Sequence, residues 1–277
     1  MGAIAGTTLR PTLEAMPENA FNTPLWIVGL IAVGALCTFA MVGLEIVRRQ
    51  VVARLRVGVE DSEFTATMVQ CVMVFYGLAV ALIAVSVWET HSSVSDTVSL
   101  EASRLSELYR DAGSYPEPLR SELRGELEAY LDNILEEEWP AQRRGEHPTG
   151  GVEWMDRFQR SMESFEPETE AHKILHAEAL HAYNMLVEAR RLRLDAMLVK
   201  LSGMLWFVIL AGAVISLCST FLFKVEDVRL HRIQVLLLAG FMGLVVTLIF
   251  AFDRPFHGDL AIDPGPYEFV KEQLMGP

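Results

Sequence analysis

The chain has 277 residues, of which 51% are hydrophobic and 21% charged, and its formal net charge is -13. That acidic excess argues against a nucleic-acid partner, which would need a basic face to meet phosphate. The charges are also segregated between long apolar runs rather than spread through the chain, which argues against an ordinary soluble fold.

The N-terminal tail, residues 1–24, lacks the basic start and short apolar run of a secretory signal, so the first span is expected to direct insertion. That span runs from Leu25 to Leu44 with no ionisable side chain before Glu45. A bilayer core of about 30 Å requires about twenty helical residues, and this stretch supplies them. The second span, Ala66 to Val87, passes without a breaker into Trp88 and Glu89. Residues 25–88 therefore read as a transmembrane hairpin.

Residues 89–199 read as an extramembrane helical bundle in which acidic residues outnumber lysine and arginine by about two to one. Val94, Val98, Ala102, Leu105 and Tyr109 mark one helix face, and Gly113 with Pro116 closes the run. No breaker separates Tyr76 from Asp111, so the second span is predicted to leave the membrane as one long helix. Leu119, Leu123, Leu127, Tyr130 and Ile134 define a second amphipathic helix, expected to end at Trp139-Pro140. Glu136, Glu137 and Glu138 are consecutive, point in different directions and read as a solvated patch. Ala141 to Gly151 reads as a loop, followed by a short helix with Met155, Phe158, Met162 and Phe165 on one face. Pro167 suits the first turn of a further helix, which shows no breaker from Glu168 to Gly203 and is expected to run straight into the third span.

Residues 200–253 form the second hairpin. Its spans, Leu201 to Phe223 and Ile233 to Phe252, are bounded by Lys200 and Lys224 and by Asp253-Arg254-Pro255. Residues 254–277 read as a C-terminal tail. All three cysteines fall in spans, so the aqueous parts hold no disulfide and no metal-binding cysteine pair. The expected class is all-α: a polytopic membrane protein with four transmembrane helices and a bundle between spans two and three. The short basic loops at Arg48, Arg49, Arg54 and Arg56 and at Lys224, Arg229 and Arg232 place themselves in the cytoplasm by the positive-inside rule, with the bundle outside. Arg190, Arg191, Arg193 and Lys200 on the opposite side nearly cancel that difference.

Four stretches carry a resemblance: VWETHSSVSDTVSLEASRLSELYRDAGSYPEPLR, AYLDNILEEEWP, EARRLRLDA and DRPFHGDLAIDPGPYEF. In this order, over Val74 to Phe269, they resemble the bacterial bestrophin-like domain family. The resemblance implies a relation to bestrophins, homopentameric anion channels whose pore is lined by the second span and whose large helical part is cytosolic. It implies pore candidates at Val80, Ala84 and Val87, with a mouth at Trp88, Glu89, His91 and Ser92. The linker here carries Glu89 and Asp96 in place of a basic or aromatic constriction, and no strong counterpart of the bestrophin calcium-binding acidic cluster is evident.

A ring of Glu89 carboxylates around an axis would favour cations, whereas the same residue beside Trp88 also fits an interfacial anchor. His91 would let the mouth respond between about pH 5 and 8, or it is a solvated helix histidine. Arg190, Arg191 and Arg193 suit pairing with Glu101 or contact with lipid head groups. Asp253 and Arg254 suit an ion pair at the end of span four, with Pro255 stopping the helix. His172 and His176, with Glu168 and His181 in reach, have metal-ligand spacing but read as a helix face, and no metal or cofactor is expected. No nucleophile elbow, phosphate loop or dinucleotide fingerprint occurs, so no enzyme is expected.

Gly77 with Ala81 and Ala239 with Gly243 permit close helix packing within or between subunits. Four spans do not easily enclose a hydrated path, so the channel reading also predicts a homo-oligomer, a pentamer by family analogy, in the inner cell membrane. Its partners are membrane lipid and inorganic ions. The rival reading is a non-conducting sensor or scaffold whose bundle binds a ligand or protein.

Overall fold

A computed structural model of the chain describes residues 24–52, 59–146, 148, 150–223 and 227–275. Most of the N-terminal tail (residues 1–23), the basic positions Arg54, Arg56 and Lys224, and His147 and Thr149 of the expected loop lie outside the described residues. Among those described there is no strand. Helix α1 spans Leu25–Val47 and passes into a π-helical turn at Arg48–Val52; α2 spans Val59–Ala112. Then come α3 (Leu119–Asn133), α4 (Trp139–Arg143), α5 (Gly151–Glu163), α6 (Glu170–Ala196), α7 (Gly203–Phe221), α8 (Val228–Phe252) and α9 (Gly265–Val270). Four segments, Leu25–Gln50, Phe64–Ala112, Gly203–Phe221 and Val228–Phe252, are long and apolar enough to cross a bilayer, and the protein is an all-α membrane protein. Their apolar windows are only 17% buried in α1 and α2, so this chain leaves most of that apolar surface uncovered.

The chain divides into two units. The first comprises residues up to Tyr76 together with Leu201–Leu244, and holds α1, the start of α2, α7 and most of α8. Small residues set its packing. Ala40, Ala213 and Ala239 are fully buried among Leu44, Leu217, Phe221 and Val235, which lets the helix backbones come close. Gly243 marks the tightest approach of α8 to α1: a methyl group there would stand 2.7 Å from Val33 Cα. Tyr76 donates its hydroxyl to Ile209 O at 3.0 Å, and Glu45 accepts from Arg49 at 2.7 Å and from Arg232 at 3.0 Å.

The second unit, Gly77–Lys200 with Val245–Pro277, has its core among α2, α3, α5, α6 and the C-terminal segment. Leu105, Leu108, Leu123, Leu131 and Leu186 are fully buried there, each contributing about 2 kcal/mol by removal from water. As the uninterrupted run from Tyr76 to Asp111 implies, α2 is one helix of 54 residues that ends before Gly113.

Three expectations fail, each for an identifiable reason. The helix begun by α3 does not stop at Trp139-Pro140; a π-helical turn at Ile134–Glu138, helical on both sides, carries it into α4 with Pro140 inside the run. Helix α6 is not continuous with the third span. It starts at the N-cap Thr169, two residues after Pro167, and ends at Ala196, and α7 starts afresh with the Ser202 side chain accepting from Leu205 N at 3.4 Å. The Ser202 cap favours a new start there, so the third span begins as a separate helix without any proline between the two. The segment from residue 254 is not a free tail: Phe256, Ile262, Tyr267 and Val270 are buried in the bundle core, and Lys271 pairs with Asp132 at 2.7 Å.

Replacing Gly243 with Leu is expected to destabilise the detergent-solubilised protein by about 1–3 kcal/mol through overpacking against Val33. Gly34→Ala on α1, where no atom lies within 4 Å of an added methyl, is expected to be neutral or slightly stabilising. Thermal unfolding of the two variants checks this, and equal midpoints would contradict the close approach.

Candidate functional site

The residues where α2 leaves the apolar span divide between opposite helix faces. Val80 to Glu89 is nine residues, about two and a half turns at 3.6 residues per turn, so the two side chains point opposite ways. Val80 and Val87 are buried and share an inward face with Val94 and Val98. Ala84 and His91 lie along the same face, both half-buried. The His91 ring meets Phe252 edge-on at 5.2 Å, and its Nε2 is 3.0 Å from Leu260 O. His91 is thus a packed residue rather than a solvated one. Glu89 is exposed, Trp88 is 55% exposed and Ser92 is half-buried. The structure therefore does not bring the apolar trio and the acidic mouth to one surface. The exposed stripe of α2 consists instead of Leu78, Leu82, Val85, Glu89, Ser93 and Asp96, spaced by three and four.

Beside that stripe a groove forms between α2 and the last turns of α6. Ser86, Glu89, Ser93 and Thr97 contribute from α2, and Leu192 and Asp195 from α6. Asp195 was not singled out from the sequence. The signal available was its place at the end of the helix, which only the break after Ala196 turns into a rim.

Deeper in the bundle, two carboxylates and two guanidinium groups are removed from water together. Arg193, fully buried, donates from Nε to Glu101 Oε2 at 2.6 Å and from Nη2 to Glu138 Oε2 at 2.7 Å. Arg190 donates to the other oxygen of Glu138, which also accepts from Gly151 N at 3.0 Å. Glu101 accepts further from the hydroxyls of Tyr130 at 2.7 Å and Tyr267 at 2.9 Å. Gly151 has to be glycine, because a side chain there would run into Glu138 and Arg190. Arg191, between the two arginines, is exposed.

Burial pushes the Glu138 carboxyl up, but the charges of Arg193 and Arg190 outweigh it and hold the group below its ordinary value. Burial likewise pulls Arg193 down, and Glu101 more than reverses this, keeping the guanidinium well above its usual range. Glu138 is therefore not part of a solvated patch. It follows Ile134 by four, which places it on the buried face of the helix, and only Glu136 and Glu137 are exposed.

Several contacts gather at the end of α8. Arg254 lies over the Phe250 ring at 5.2 Å, Asp253 N donates to Ile249 O at 3.0 Å, and Pro255 O accepts from Ile262 N at 2.8 Å. His176 Nδ1 is 2.8 Å from the Tyr115 hydroxyl, and Phe165 lies against both His172 and His176. Among the described residues, no three His, Cys, Asp or Glu side chains converge on a point suited to a metal ion.

A family model for the bestrophin-like domain matches residues 34–267, most of the chain. Neither a curated protein nor a solved structure matches it.

The buried groups lead us to expect an acid-sensitive stability of the bundle. Burial, with the charge of Arg254, holds His257 below its ordinary value of 6.5, so below that pH the unfolded chain takes up a proton that the folded chain resists. The same holds for Glu138 below 4.5, whereas Glu126, pushed up by burial, works in the opposite sense. Denaturant unfolding followed by tryptophan fluorescence is expected to show stability declining gently below about pH 6.5 and more steeply below about 4.5. Glu138→Gln is expected to be less stable at neutral pH and to show a shallower acid limb; an unchanged limb would contradict the role of the pair.

Proposed function

The chain belongs to the bestrophin-like domain family, and from that premise we propose that it is an oligomeric ion channel of the inner cell membrane, conducting passively along an axis lined by α2. The observation that carries this reading is the exposed stripe of α2. Leu78, Leu82 and Val85 are apolar and within the span, and Glu89, Ser93 and Asp96 follow on the same face beyond it. Around an axis of identical copies, the first three form an apolar constriction that gates by dewetting. Glu89 and Asp96 then form successive carboxylate rings at the mouth, which attract cations and repel anions. Val80, Ala84 and Val87 stay on the inner face and support the helix rather than line the path.

Assembly is supported by the span surface. Gly77 and Ala81 are exposed, and nothing lies within 4 Å of a methyl group added at Gly77, which leaves room for a neighbouring helix. Family analogy gives five copies. No catalytic step is involved.

Two measurements on the reconstituted protein test the proposal together: oligomeric state in mild detergent, and liposome flux with one ion replaced at a time. The expected result is an oligomer larger than a dimer that passes cations in preference to anions. Glu89→Gln lowers that preference and Glu89→Lys reverses it. Absence of flux in a monomer or dimer would overturn the channel and favour the sensor or scaffold.

A further inference from the structure

The groove between α2 and the end of α6 is an open cleft of about 490 Å³, within the range of about 300–1,000 Å³ found for small-molecule sites. Its lining falls into three chemical groups. Two are carboxylates, Glu89 and Asp195, and no lysine or arginine lines the cavity to neutralise them. Among the described residues neither acid has an ion-pair partner, and Arg191, one turn before Asp195, does not pair with it. The hydroxyls form the second group. Thr90 donates to Ser86 O at 3.0 Å and Thr97 to Ser93 O at 2.9 Å, so the outward capacity of both oxygens is to accept. The third group, Val94, Leu192, Ala196 and Val199, is a methylene-compatible wall. The C-terminal end of α6, the negative end of its dipole, faces the same space.

We propose that this groove binds an aliphatic di- or polyamine. The ammonium groups sit on Glu89 and Asp195, the threonine oxygens accept further N–H bonds, and the methylenes lie along the apolar wall. The lining discriminates against other cations. No aromatic ring faces a quaternary ammonium, and a quaternary nitrogen has no N–H for the hydroxyls. A hard divalent ion requires about six oxygen ligands, and no three acidic or histidine groups converge here. The site stands on the groove and does not depend on conduction, although Glu89 belongs also to the proposed mouth.

The test is spermidine titration of the full chain in mild detergent at low ionic strength, read by calorimetry. Saturable binding is expected, and E89Q and D195N are each expected to weaken it by about fivefold, as the loss of one exposed ion pair implies. Tetramethylammonium and magnesium are expected to compete poorly. Both acids are exposed, so the variants keep the wild-type melting temperature. Unchanged affinity in the double variant, equal competition by magnesium, or no saturation at millimolar spermidine would each overturn the inference. Because binding is read without flux, a chain that binds but does not conduct contradicts only the channel, and one that conducts but does not bind contradicts only the groove.

Discussion

Arg193 is the residue on which the packing of the second unit depends. Its guanidinium is fully buried and spans Glu101 and Glu138. Around it meet α2, the continuation of α3, α5 through the Gly151 amide, α6, and α9 through Tyr267. Removing two carboxylates and two guanidinium groups from water is costly unless each is paired and hydrogen-bonded. Here each acid accepts three or more bonds. A buried pair of this kind adds less to net stability than to specificity, because any arrangement that separates the partners leaves a charge stranded in the core. It therefore defines which helices meet and in what register, while the leucine core supplies the driving force.

This constraint bears on the membrane because Glu101 stands on the same unbroken helix as the second span. It lies twelve positions along α2 from Glu89, about three turns. The rotation of α2 about its own axis is thus fixed by the cluster. That rotation decides which residues the helix shows outward, and so places Leu82, Val85 and Glu89 on the exposed stripe and Val87 against the core. On the other side, α6 carries Arg190 and Arg193 and then stops at Ala196. The bundle is joined to span two by a continuous helix and to span three by a short non-helical link.

Much of this was legible in the sequence, because long apolar runs and three-four periodicity report burial directly. The four spans, the length of α2 and the buried faces of α3 and α5 came from that signal. Two kinds of feature escaped it. A helix can stop without a proline, as α6 does at Ala196, and a serine N-cap can begin the next one, as Ser202 does for α7. Buried charge also defeats a reading that assigns a run of glutamates to solvent: Glu138 is the last of three consecutive acids, yet its phase with Ile134 marks it as inward. The pore candidates carry a conflict that helix periodicity alone exposes, since the same phase argument sets Val80 and Glu89 on opposite sides of one helix. The docking of the C-terminal segment had no such signal, because its contacts are with residues far away in the chain, as Tyr267 is with Glu101.

One buried cluster is expected to hold α2 beyond Val94, the bundle helices and the C-terminal segment as a single cooperative body. Hydrogen–deuterium exchange of the full chain in detergent, compared between wild type and Arg193→Met, tests it most directly. The substitution, which leaves Glu101 without its cation and Glu138 with Arg190 alone, is expected to raise exchange together in α2 beyond Val94, in α3, in α6 and in α9. Faster exchange confined to the turn of α6 around residue 193, with the other three segments as protected as in wild type, would contradict it.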